Sequence, residues 1–219
     1  MDKTKTFGGA QKVGESILSK PEKALRGFLV PLVPGWLQTY HLTMMTLVWS
    51  GLNVWFFWLA KSDLNWIWMV SIMVVLQYIT DLLDGAVGRE RNTGLIKWGF
   101  YMDHFLDYVF LYSITLGYYL IAPPGFELQF FILLGLLSCF MINSFLSFGA
   151  TNEFQIHFVG IGPTEFRILL IGINTIIFFI GTGYTKYFLP AINISLAIVL
   201  IGLIIITQRN LWKIDLKNR

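Results

Sequence analysis

One cysteine, three histidines and 13% charged residues put several protein classes out of reach for this 219-residue chain. Cys139 has no second cysteine to pair with, so no internal disulfide holds the fold together. Soluble domains carry about 25% charged residues. Barely half that share, beside 55% apolar and 16% aromatic residues, excludes an ordinary water-soluble domain. The first 17 residues contain no apolar core, so a cleavable signal peptide is not expected. Internal repeats are absent. A net charge of +3 is modest, and no nucleic-acid partner is expected.

What the chain has instead is long apolar runs. Six of them approach the roughly 20 residues that cross a bilayer, at about 39–60, 65–87, 95–122, 126–149, 164–183 and 185–208. Turn and polar residues break them at Lys61-Ser-Asp63, 88–93, Pro123-Pro124-Gly125, 151–163 and 181–183. Ahead of the first run, Ser19-Lys-Pro-Glu22 has the form of a capping box, with Ala24, Leu25, Phe28 and Leu29 along one side and Lys20, Lys23 and Arg26 flanking. This pattern predicts an amphipathic helix lying on the membrane surface. The predicted fold is an all-α integral membrane protein: six transmembrane helices preceded by a cytoplasmic amphipathic interfacial helix. Its divisions are a leader over 1–38, a membrane domain over 39–208 and a basic tail over 209–219.

Basic residues orient the bundle. With the amino terminus in the cytoplasm, 14 of the 16 Lys and Arg fall on the inner side, leaving only Lys61 and Lys186 outside. That bias predicts a multi-pass protein with both termini cytoplasmic. Trp58, Trp66 and Trp68 then suit the outer interface, and Trp36, Trp98 and Trp212 the inner one.

Within this apolar chain, four carboxylates stand at helical spacing. Asp81 and Asp84 are three residues apart; Gly99, Asp103 and Asp107 follow one another at intervals of four. Each set therefore shares one helix face. Carboxylates at membrane depth are costly and mark functional sites by default. Four converging would repel unless a cation lay between them, and hard oxygen donors suit magnesium, calcium or manganese. The orientation puts all four at the inner ends of the second and third spans, open to the cytosol. A cation transporter could also use such acids. A permeation path, however, needs polar residues in the outer halves of the spans, and those are almost uniformly apolar.

The stretch Asp81-Leu-Leu-Asp84-Gly85-Ala-Val-Gly88-Arg89, nine residues, then Gly99-Phe-Tyr-Met-Asp103-His104-Phe-Leu-Asp107 resembles the signature of the CDP-alcohol phosphotransferases. That signature reads Asp-x2-Asp-Gly-x2-Ala-Arg, eight or nine residues, Gly-x3-Asp-x3-Asp. One position departs, Gly88 standing where the family has alanine. The resemblance implies cleavage of a CDP-linked alcohol, release of CMP and transfer of the substituted phosphate to an acceptor hydroxyl, in phospholipid biosynthesis. It implies two ions, Mg2+ or Mn2+, on Asp81, Asp84, Asp103 and Asp107, and a homodimer. Asp81, Gly85, Arg89 and Gly99 would contact the nucleotide, Gly99 being equally a helix-packing position. Asp107 or His104 would take the proton of the attacking hydroxyl.

The Asp103-His104 pair resembles the choline and ethanolamine phosphotransferase branch, where the stretch reads Gly-Glu-Leu-Phe-Asp-His-Gly-Cys-Asp. Phe100 and Phe105 replace its glutamate and second glycine. CDP-choline or CDP-ethanolamine with diacylglycerol is thus the favoured pair. The alternative is CDP-diacylglycerol with serine, inositol, glycerol phosphate or inositol phosphate. A phosphate-bearing acceptor would need several interior cations, and spans four to six offer only Arg167 near the inner side. In Gly160-Ile-Gly162-Pro163-Thr164-Glu165-Phe166-Arg167, the residues Thr164, Glu165 and Arg167 are candidates for an acceptor or head-group pocket, against plain helix capping by Pro163 and Glu165. Asn143, Asn174 and Thr80 are weaker candidates; His41 and His157 read as structural or solvated.

Overall fold

The computed structural model describes residues 11–13, 18–151, 153–155 and 162–217. Apart from two three-residue strands, β1 (Gln11–Val13) and β2 (Glu153–Gln155), which pair in parallel, the ordered elements are helical. They are α1 (Ser19–Leu29), α2 (Thr39–Ala60), α3 (Ile67–Glu90), α4 (Ile96–Ile121), α5 (Glu127–Thr151), α6 (Pro163–Ile180) and α7 (Thr185–Lys217). Short 3-10 turns at Val30–Leu32 and Leu64–Trp66 lead into α2 and α3.

Five helices, α2, α3, α5, α6 and α7, are long and apolar enough to cross a membrane. The chain is therefore an all-helical, multi-pass membrane protein. The remaining predicted span, α4, is 26 residues long, and Lys97, Asp103 and Asp107 interrupt its apolar surface. At 1.5 Å per residue the 33 residues of α7 reach about 50 Å, well beyond the roughly 30 Å of a hydrocarbon core. What the sequence separates as a basic tail continues this helix through Lys217.

Helix α1 lies as expected for a surface helix, with no buried residue. Leu25, Phe28, Leu32 and Trp36 form an exposed apolar stripe along it and the segment that follows. Leu29, Val30, Val33 and Leu37 turn the other way, onto Leu42, Leu83 and Val87. The expected capping box does not form. The helix takes Ser19 as its first residue, so the flanking position falls to Leu18, which has no side-chain acceptor to offer. The Leu18 N–H donates instead to Glu165 Oε1 of α6 at 3.2 Å.

Helix α2 is the common support of the bundle. Both α3 and α4 pack along it, α6 packs against α3, and α5 packs on α7. Phe57, Val70, Val74, Phe110, Ile114 and Leu170 make the core between these helices. Lipid tails are as apolar as leucine, so helix association needs close packing and polar pairs. Both are present. Asn53 donates to Ser113 (3.2 Å), Asn174 donates to Ser71 (3.0 Å), and the Tyr118 hydroxyl donates to Asn174 Oδ1 (2.7 Å). Asn174 is thereby a packing residue. Gly117 lets α4 close on α2, since a Cβ there would overlap the Phe57 ring. Gly117→Val should therefore destabilise the protein by about 1–3 kcal/mol, checked by thermal unfolding of the detergent-solubilised chain. An unchanged midpoint would contradict this packing.

Candidate active site

The loop between α3 and α4 turns through Asn92 (φ 50°) and Gly94 (φ 71°), the left-handed positions that reverse the chain in a few residues. Arg91 anchors this corner. Its guanidinium donates to the carbonyls of Leu37 (2.7 Å), Val33 (2.8 Å) and Pro34 (3.2 Å), fixing the segment before α2. Because α3 and α4 lean on α2 more than on each other, the C-terminal end of α3 and the N-terminal end of α4 leave a cleft between them.

Carboxylate oxygens of Asp81, Asp103 and Asp107 meet in that cleft, all within 4.8 Å of one another. Asp84 lies beside this group with its oxygens engaged elsewhere. Oδ2 accepts from Thr43 at 2.8 Å, Oδ1 accepts from the Gly85 N–H, and the Asp84 carbonyl accepts from Thr39 at 2.6 Å. The next turn of α3 is packed as closely. A Cβ at Gly88 would come within 3.1 Å of Thr39 Oγ1, so the alanine of the signature has less room here than glycine.

Arg167 of α6 is the cation that reaches the acids. Nη2 lies 2.8 Å from Asp81 Oδ2 and 3.9 Å from Asp107 Oδ1, and Nε donates to Gln77 Oε1 at 2.8 Å. The Gln77 amide N–H completes the link to Asp107 at 3.4 Å, and the Tyr78 ring lies 5.6 Å from the guanidinium. Arg167 and Gln77 are both buried. One guanidinium can balance only one of the three carboxylates when all are ionised. An all-oxygen donor set with that surplus fits a hard divalent cation.

Other predicted residues sit as follows. The Arg89 guanidinium folds over Gly85, where a Cβ would meet Nη1 at 3.3 Å. Gly99 has nothing within 4 Å of its missing Cβ, so it is not a helix-packing contact in this chain. His104 Nδ1 is 2.6 Å from the Phe100 carbonyl, to which a neutral ring protonated on Nδ1 donates, and the ring packs beside Phe100 and Phe145. Glu165 and Thr164 face α1 rather than the acids. Glu165 accepts from Leu18 and Gly162, and Thr164 donates to Glu22 at 3.3 Å. The His41 ring accepts from the Gln38 N–H at the start of α2. Thr80 donates to the carbonyls of Leu76 and Gln77 within α3. His157 and Gly160 lie outside the described residues.

The profile of the CDP-alcohol phosphatidyltransferase family matches residues 36–209, from the segment before α2 into the C-terminal part of α7, with every acidic residue of the cleft inside it. The chain belongs to that family. No curated protein and no solved structure matches it. Membership makes the chain a transferase of phosphate-containing groups that acts on CDP-alcohols and lipids and releases CMP. The family is metal-dependent in general, and the triad Asp81, Asp103 and Asp107 could hold a metal.

Sequence reasoning missed Gln77, Thr39 and Thr43. Gln77 precedes Asp81 by four residues and Asp84 by seven, so helical spacing alone places it on the acidic face.

Proposed function

We propose that this chain moves a phospho-aminoalcohol from CDP-choline or CDP-ethanolamine to the hydroxyl of diacylglycerol, at the cytoplasmic face of the membrane. The observation that carries the reading is the meeting of the Asp81, Asp103 and Asp107 carboxylates at signature positions. The cytoplasmic placement rests on the distribution of Lys and Arg. Choice of donor follows from charge. Among the described residues Arg167 is the only interior cation on α5 to α7, and Asp81 and Gln77 already hold it. Little is left there to bind an acceptor's phosphate.

Asp81, Asp103 and Asp107, with Asp84 beside them, would hold two divalent ions, Mg2+ or Mn2+, whose chemistry is to neutralise the diphosphate and the group in transfer. The chain's own groups do the rest. Arg89, with Lys23 and Arg26, lines an open pocket of about 470 Å3 between α1 and the inner end of α3. Its guanidinium offers a donor fork to the donor's diphosphate, while Gly85 and Gly99 leave room for the nucleotide. The acceptor oxygen forms the new bond to phosphorus, the P–O bond to CMP breaks with its electron pair on CMP, and Asp107 takes the hydroxyl proton. A homodimer of such chains, as the family resemblance implies, completes the proposal.

The test is direct. Purified protein is incubated in turn with radiolabelled CDP-choline, CDP-ethanolamine and CDP-diacylglycerol, with matched acceptors, and CMP is measured. Release is expected from the first two with diacylglycerol, and EDTA should stop it. Release only from CDP-diacylglycerol would move the chain to the other donor class; release unaffected by EDTA would refute the ion site. In the same assay His104→Ala should cost no more than a few-fold. A larger loss would transfer the proton-accepting role to His104.

A further inference from the structure

Helices α5 and α7 border a second, open cleft, of about 370 Å3, lined by none of the four acids. Its size falls in the range of small-molecule sites, roughly 300–1,000 Å3. Asn143 and Ser147 line it from α5; Thr207, Gln208, Trp212 and Asp215 line it from α7. Leu146 and Leu211 supply apolar wall. The polar set is out of keeping with its surroundings. Serine and threonine in membrane helices usually satisfy themselves on the carbonyl one turn back, as Ser138, Ser144, Thr151 and Thr175 do here. Ser147 and Thr207 make no such bond, and among the described residues none of the six polar side chains has a hydrogen bond or ion pair. Asn143, Ser147 and Thr207 are only part-exposed and have no partner within the protein, so the cleft offers unmatched polar groups to a polar ligand.

Depth and charge define it. Thr207 to Asp215 lie beyond the first 22 residues of α7, about 33 Å along it, which places the cleft where acyl chains give way to head groups. The single charge among its lining residues is negative, Asp215, about one helical turn after Trp212 on α7. That pairing suits an ammonium, by charge and by the ring face. The amides, hydroxyls and indole N–H suit phosphate and ester oxygens. We infer that the α5–α7 cleft holds one zwitterionic, ammonium-bearing phospholipid, bound apart from the reacting substrates.

Native mass spectrometry of the full-length protein, equilibrated with equal amounts of phosphatidylethanolamine and phosphatidylglycerol, tests this without reference to catalysis. Wild type should retain one phosphatidylethanolamine per chain, preferred over phosphatidylglycerol by roughly fivefold. Asp215→Asn should bring the two to parity. Asn143→Leu combined with Gln208→Leu should lose both lipids, with a thermal midpoint near wild type showing that the variant is folded. Equal retention by wild type, a preference unchanged in Asp215→Asn, or a lipid-free dimer in which a second copy fills the cleft would each overturn the inference.

Discussion

Asp81→Asn should cut CMP release by roughly a thousandfold, the scale of losing a preorganised charge in a catalytic centre. Asp81 serves both the acidic cluster and Arg167. It shares the oxygen cluster with Asp103 and Asp107, and it is the carboxylate nearest Arg167, at 2.8 Å. Asparagine keeps the shape and one acceptor oxygen but removes the charge that draws both a divalent ion and the guanidinium. Arg167 retains Gln77 and, more distantly, Asp107, so the variant should remain folded and extractable with a lowered unfolding midpoint. A folded Asp81→Asn protein with wild-type turnover would remove the cleft from the reaction.

Arg167→Met should tighten divalent-ion binding at the acidic cluster. The guanidinium lies 2.8 Å from Asp81 and 3.9 Å from Asp107, so it draws on the same oxygens that a divalent ion would use. At about 4 Å and an effective dielectric near 20, two unit charges interact by about 4 kcal/mol. Relief of even a third of that, about 1.4 kcal/mol, is a tenfold gain in affinity. Titration of Mn2+ into metal-free protein, followed by the paramagnetic signal of the free ion, measures this directly. The expected result is at least about tenfold tighter binding in the variant. Weaker binding would mean that Arg167 organises the carboxylates instead of competing for them.

The sequence told more about the lengths of the helices than about their partners. Apolar run and turn chemistry placed the first span at 39–60, and α2 runs from Thr39 to Ala60. The acidic signature was legible because three and four residues on a helix bring side chains to one face, a local rule. Arg167 pairs with Asp81 across 86 positions, and no local rule encodes such a contact. The same holds for Glu165, whose carboxylate accepts from Leu18, 147 residues away at the start of another helix. Capping chemistry identified it as a residue for a helix start but not the second start it serves. One missed feature was available. Thr39, Thr43, Thr46, Ser50 and Asn53 repeat at four, three, four and three residues along α2, and all five are buried. A row of small polar groups at that interval marks the side of a membrane helix turned toward other helices. Thr39 and Thr43 on that row are the two that hold Asp84.

That row sits on the one helix against which both acid-bearing helices rest. The two walls of the cleft have separate sequences but a single keel. A change in bulk halfway along α2 would alter the gap between Asp81 and Asp103 while leaving every residue of the signature untouched. The spacing of the acids is thus written partly in a segment that carries no acid at all.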